Sequence, residues 1–165
     1  MRTIELKVYT FDELSDESKA KAIQKLSDIN IDYEWWESTY EDARMIKLKL
    51  TKFDLDRNKH CKGEFIASAA ETAELIITNH GEDCDTYKTA QRFLSELNEL
   101  TSKSENIEDV PEDAIEDLEY MFLQDLLEDY ASMLQKECDY LQSEESIIET
   151  IHANEYEFYE DGRMI

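Results

Sequence analysis

The sequence predicts an α+β fold, a small antiparallel sheet packed against about five to six helices, one of them long and acidic. Three observations carry this. Strict apolar–polar alternation appears near both ends and in the middle of the chain. Apolar residues at helical spacing fill most of what lies between. One proline and three glycines in 165 residues leave little material for linkers. The chain therefore reads as a single domain, 1–165, with its most plausible internal break in the polar stretch 102–110.

Residues 3–9 (TIELKVY) alternate Ile4, Leu6 and Val8 with Glu5, Lys7 and Tyr9, the pattern of a half-buried strand. Ser15 followed by Asp16 and Glu17 marks a helix start, although Ser18 three residues on leaves a full capping box unmade. Ala20, Ala22, Ile23, Leu26 and Ile29 give that helix its packing side to about residue 29. Residues 31–45 form a second helix, with Tyr33, Trp36, Tyr40 and Ala43 on one side and Trp35 pointing away. Ile46, Leu48 and Leu50 begin a strand whose phase changes at Thr51–Lys52, the mark of a bulge. A polar turn at 56–63 and a returning strand at 64–68 complete a hairpin rich in lysine.

Residues 69–80 form a third helix closed by Gly81, and 85–103 a fourth capped by Asp85 or Thr86. The run Pro111–Leu141 is the long helix, with Pro111 at its first position. Ile115, Leu118, Phe122, Leu126 and Met133 share its apolar side, which Glu119, Asp129 and Glu137 interrupt, so a kink or break is expected. Ser143 opens a short last helix to Ala153. Tyr156 and Phe158 alternate into a closing strand, and Asp161-Gly162 is a turn signal.

Charge is the dominant compositional fact. Forty-one acids face 17 bases, a net of −24, where small domains usually stay in single digits. Residues 1–100 carry −7 and residues 101–165 carry −17. Such a field disfavours direct contact with nucleic acid or an anionic membrane and favours basic protein surfaces. Apolar periodicity along most of the chain argues against disorder. Three widely spaced cysteines without a CxxC pair imply reduced thiols and a cytoplasmic setting. The sequence shows no signal peptide and no apolar run of membrane-spanning length.

Catalytic and cofactor chemistry lacks support. His60, His80 and His152 have no zinc-type spacing, and His60–Cys61 reads as a loop pair. Asp54, Asp56 and Asn58 match three positions of a calcium loop, but Lys59 stands where glycine is needed and Phe65 where the bidentate glutamate belongs. Phosphate-cradling and nucleophile-elbow motifs are missing. The expectation is a protein that is not an enzyme and that holds no cofactor or metal.

The acidic surface remains. At ~100° per residue Asp113, Asp117, Glu128 and Asp139 fall on the outer side of the long helix, with Asp125 on its flank. Ten acids over 112–139 give about one charge per 4 Å of helix, against one per ~1.7 Å for duplex DNA. One helix is too sparse, so the expected surface adds Glu144, Glu145, Glu149, Glu157, Glu160 and Asp161, with Trp35 as a candidate contact aromatic.

Five segments, YTFDELSDESKAKA (9–22), DYEWWESTYEDA (32–43), FDLDR (53–57), CDYLQSEESI (138–147) and ANEYEFYEDGR (153–163), together resemble an uncharacterised family encoded by bacteriophages and prophages, sometimes labelled antitoxin-like. The family offers no catalytic motif to carry over. With the acidity, the resemblance implies a phage inhibitor of a host nucleic-acid-targeting defence, anti-CRISPR or anti-restriction. It would act in the bacterial cytoplasm as an acidic nucleic-acid mimic on a basic defence effector or nuclease. The alternative it implies is an antitoxin that neutralises a basic toxin.

Overall fold

A computed structural model describes residues 1–103 and 109–165. In chain order it contains β1 (Tyr9–Thr10), a 3-10 turn (Phe11–Glu13), α1 (Asp16–Lys25), α2 (Glu37–Met45), β2 (Leu48–Asp54), β3 (His60–Phe65), α3 (Ala69–Asn79), α4 (Asp85–Ser102), α5 (Glu112–Leu141), α6 (Glu144–Ala153) and β4 (Glu157–Phe158). The class is α+β, as predicted. The strands form two separate two-stranded antiparallel ribbons, β1 with β4 and β2 with β3. The chain divides into two compact units, Met1–Trp35 with Lys136–Ile165, and Trp36–Gln135. The division falls inside α5. The break predicted at 102–110 centres on residues 104–108, which lie outside the described residues.

In the first unit, segments far apart in sequence meet. Ser15 caps α1 by accepting from the Ser18 amide, as predicted, and Ser143, expected at the start of the last helix, stands just ahead of α6 and caps it by accepting from the Ser146 amide. Thr10 and Glu13 supply a contact that the sequence pattern did not single out. The Thr10 amide donates to Glu13 Oε2 at 2.8 Å, which holds that carboxyl below its usual range. Phe11, Leu14, Ala22, Ile147, Ile151 and Phe158 form the core, with Ile23, Leu26 and Ile29 packed against it. Asn30 is buried and ties three partners together. Its Nδ2 donates to the Leu141 carbonyl and to Ser146 Oγ, and its Oδ1 accepts from Thr150 Oγ1.

The end of α1 is one correction. The predicted helix to about residue 29 ends at Lys25, and residues 26–31 continue as turns, with the Ile29 amide donating to the Leu26 carbonyl and the Ile31 amide to the Asp28 carbonyl. A second correction concerns residues 3–9. Only Tyr9–Thr10 pairs with a strand, and Met1–Val8 has no regular structure. Ile4, Leu6 and Val8 are 79%, 55% and 40% exposed. Alternation supplies strand propensity, but a strand also needs a neighbour. The predicted closing strand is present as β4, and the chain turns back on it after the Asp161-Gly162 turn signal. Phe158 bridges to Met164, and Gly162 turns the chain at φ 82°. A Cβ on Gly162 would strike the Ser18 carbonyl oxygen, so glycine is required twice over.

In the second unit, the β2–β3 hairpin carries the predicted bulge, a register shift between Leu50 and Lys52. Its return strand starts at His60 rather than 64, which places His60 and Cys61 in a strand and not a loop. The Asp56 amide donates to Asp54 Oδ1 at 2.9 Å, an Asx turn rather than a calcium loop. Leu48 and Leu50 are buried, while Lys49 reaches Glu64 and Lys59 donates to Ser132 on α5. Gly63 permits close packing, since a Cβ there would lie 2.6 Å from the Lys49 carbonyl oxygen and 3.1 Å from Leu127.

The helix expected from residue 31 starts at Glu37. Residues 31–36 take turns, Trp35 donating its amide to the Tyr33 carbonyl at 2.8 Å, and Tyr33 is 59% exposed rather than packed. α3 ends on His80 in an extended conformation, so Gly81 does not make the left-handed cap expected of it. Cys84, not Asp85 or Thr86, takes the position before α4. Pro111 stands one residue ahead of α5, its carbonyl accepting the first helical bond from Ala114.

α5 runs 30 residues without a break. Leu118, Phe122, Leu126, Leu127, Tyr130, Ala131 and Leu134 are its buried side. Met133 is 38% exposed, off the side predicted for it, because Tyr130, Ala131 and Leu134 take the core there. The expected break does not occur. Glu119 and Asp129 are half-buried at the edge of the apolar side and Glu137 is exposed, so none forces a charge into the core. Phe122 stacks on Phe93 at 4.2 Å between ring centres and on Phe65 at 5.7 Å. Each fully buried aliphatic side chain here contributes about 1.5–3 kcal/mol relative to exposure.

Candidate functional site

The predicted acids divide between the units. Asp113, Asp117, Asp125 and Glu128 lie in Trp36–Gln135, and Asp139, Glu144, Glu145, Glu149, Glu157, Glu160 and Asp161 in the other, together with Trp35. All of these acids are exposed except Asp125, which is half-buried. Trp35 is half-buried rather than exposed. Some of the acids already have work within the fold. Tyr140 donates its hydroxyl to Glu149 at 3.2 Å. The Arg163 amide and guanidinium donate to Asp161, holding its carboxyl below the usual range.

Within Trp36–Gln135 the predicted acids of α5 meet a second row on α4. Asp85, Lys88, Arg92, Glu96, Glu99 and Lys103 recur at intervals that keep them on one side of that helix. The two rows border a groove of three adjoining cavities. One of about 300 Å³ is floored by Phe93, Leu118, Met121 and Phe122. A second of about 300 Å³ lies between Asp85 and Thr89 on one side and Glu128 and Asp129 on the other. A third, of about 400 Å³, reaches Glu99 and Asp117. The first shares Arg92 and Asp125 with the second, and Leu118 and Met121 with the third.

Arg92 donates to Asp125 Oδ2 at 2.7 Å across this groove. Thr89 donates to Asp129 Oδ2, also at 2.7 Å. Burial pushes the Asp129 carboxyl above its usual range. The Thr89 bond opposes that shift, and the neighbouring charges of Asp85, Asp125 and Glu128 add to it. The groove thus has an apolar floor, an acidic rim on the α5 side, a rim of mixed charge on the α4 side where Lys88 and Lys103 stand among the acids, and one guanidinium bridge. Chemically it suits cationic groups carried on an apolar backbone.

Sequence reasoning missed the α4 row and took Asp129 as an interruption of the apolar side. The period of charged residues on α4 was visible, but nothing in the sequence says which helix it faces. No protein-family model, curated protein or solved structure matches this chain.

Two further polar groupings bear on catalysis. Tyr130, fully buried, donates to Asp42 Oδ2 at 2.8 Å, and His80 Nε2 lies 3.6 Å from the same oxygen. His80 Nδ1 meets Thr86 Oγ1 at 2.7 Å. This chain of bonds joins α2, α4, α5 and the end of α3, and lines none of the groove cavities. Burial first, then Asp42, raises the Tyr130 hydroxyl far above its ordinary value, so it acts as a donor and not a base. In the other unit, a cavity of about 450 Å³ holds His152 with its Nε2 3.3 Å from Asp12 Oδ1. Its threonine hydroxyl, on Thr10, is spent on Glu13.

Cys61 is buried and its thiol is pushed up to about 11 by burial, the opposite of an activated nucleophile. Among the described residues no three His, Cys, Asp or Glu side chains converge to hold a metal ion. Nor is any described helix long and apolar enough to cross a membrane.

Proposed function

We propose that this chain is a non-enzymatic phage or prophage protein that inhibits a host nucleic-acid-targeting defence, occupying the basic groove of an effector as an acidic mimic of nucleic acid. The observation that carries the reading is a surplus of surface acid that the fold cannot use. Were every lysine and arginine paired one to one, 24 carboxylates would still lack a basic partner within the chain. Most of the described acids are exposed, where their charge is available to another molecule. That excess costs folding free energy through self-repulsion, and a basic partner offsets it on binding.

Sparse as one helix is, the α5 acids border one side of a groove whose α4 side adds Asp85, Glu96 and Glu99 among the bases Lys88, Arg92 and Lys103. The family resemblance supplies the phage setting, and charge supplies the mode of action.

The test is plaquing of a restricted phage on hosts that carry defined CRISPR or restriction systems, with and without the chain. DNA binding by each purified effector is measured alongside. Restored plaquing in a system whose effector also loses DNA binding is the expected result. Unchanged plaquing with unchanged DNA binding across the panel would overturn the reading.

A further inference from the structure

Residues 4–8 read Ile-Glu-Leu-Lys-Val, and they are strand-like in pattern yet exposed and unpaired as a strand among the described residues. They run directly into β1, whose single strand neighbour there is β4. β4 is in turn bridged on to Met164, so it lies between β1 and that residue. The open edge of the ribbon is therefore the edge of β1, and the segment that would prolong it is the one left without structure.

The five residues have a property that decides what suits them. Set antiparallel to a copy of itself about Leu6, the segment places Glu5 opposite Lys7 and Lys7 opposite Glu5. Ile4 then meets Val8, Leu6 meets Leu6 and Val8 meets Ile4. Every cross-strand pair is either opposite in charge or apolar on apolar, the pairings that favour an antiparallel ladder. A two-fold axis through Leu6 makes the contact isologous, so the same patch serves both copies and the assembly closes at two.

We propose that residues 4–8 are a dimerisation strand. Two copies of the chain pair there antiparallel, joining their β1–β4 ribbons into one four-stranded sheet. The alternation that predicted a strand at 3–9 is then satisfied by the second copy. Pairing also sets the exposed apolar side chains of the two copies side by side, which shields part of their surface, and supplies the extra strands that a two-residue ribbon lacks. Pairing need not extend to Thr10, whose amide is already committed to Glu13.

The inference does not rest on the defence reading, and its test needs no partner protein. Sedimentation of the full chain is followed over a concentration series at about 0.15 M salt, where the Debye length of about 8 Å screens most repulsion between two acidic copies. Glu5→Lys and Lys7→Glu are made separately, each at an exposed position. Circular dichroism checks that both retain the fold. The native chain should dimerise, and each variant should do so about tenfold or more weakly, because two attractive pairs become repulsive. Mixing the two variants should restore dimers, since a segment with two positive charges then faces one with two negative charges.

A native chain that stays monomeric throughout the series would overturn the proposal. So would variants that dimerise as well as the native chain, or a mixture no more dimeric than its components. A dimer that survives deletion of residues 1–8 would place the interface elsewhere and overturn it too.

Discussion

In the unit formed by Met1–Trp35 and Lys136–Ile165, all 17 acids are exposed. In Trp36–Gln135, Glu37, Asp42, Asp54, Glu119, Asp125 and Asp129 are half-buried, and several hold the fold through hydrogen bonds. Yet the load is nearly the same for their sizes. The first unit carries 17 acids and 7 bases in 65 residues, net −10, and the second 24 acids and 10 bases in 100, net −14. The contrast of −7 and −17 between residues 1–100 and 101–165 belongs to chain order. It fades once residues 1–35, with their lysines, are grouped with 136–165. The units differ in how deeply their acids are set, and in the second the acids run along an apolar-floored groove between α4 and α5.

The largest effect expected from testing this difference is in the second unit's core. Phe122→Ala removes a ring stacked on both Phe93 and Phe65 and should cost about 3–5 kcal/mol, read by urea denaturation. Hydrogen exchange should show the loss in Trp36–Gln135 first. If protection falls equally in both units, they unfold as one and the comparison holds for charge alone.

Gly162→Ala is next, at about 2–4 kcal/mol, because a positive φ and the Ser18 carbonyl both exclude a Cβ. Here the exchange change should begin in the first unit.

Tyr130→Phe should cost about 1–3 kcal/mol by leaving Asp42 without its buried donor, read by the same denaturation.

The smallest effect has the opposite sign. Asp129→Asn keeps an acceptor for Thr89 and removes a carboxylate whose charge is disfavoured by burial. The Asp129 pKa is raised in the fold, so its protonated form stabilises the native state at low pH, and that stabilisation is lost as pH rises through the raised value. The variant should therefore melt higher than the native chain at neutral pH. The gap should close as pH falls below the ordinary carboxylate range. A variant that melts lower at pH 7 would mean the Thr89–Asp129 bond outweighs the burial cost.

Much of the helical frame was legible. Ser15 and Ser143 announced α1 and α6 because a capping hydroxyl is a local signal. The spacing of Leu118, Phe122 and Leu126 announced the buried side of α5. What failed depended on partners distant in sequence. Asn30, past the end of α1, is fixed by bonds to Leu141, Ser146 and Thr150, over 100 residues away. Ile4, Leu6 and Val8 alternate like a strand, but whether a strand forms is decided by what lies beside it. Asp129 looked like a fault in an apolar stripe until Thr89 was found opposite it. The groove was half legible: the acids of α5 were read as a site, while the row on α4 needed the fold to bring it alongside.

The most direct test of the central claim is a charge reversal in the second unit. Asp113, Asp117 and Glu128 are exposed and can be changed together to lysine, with circular dichroism and melting confirming the fold. The measurement is the protein concentration needed to displace DNA from a defence effector that the native chain inhibits. The account predicts that the triple variant fails to displace DNA at any concentration where the native chain succeeds, and that raised salt weakens the native chain in the same direction. Undiminished displacement by the folded triple variant would contradict it.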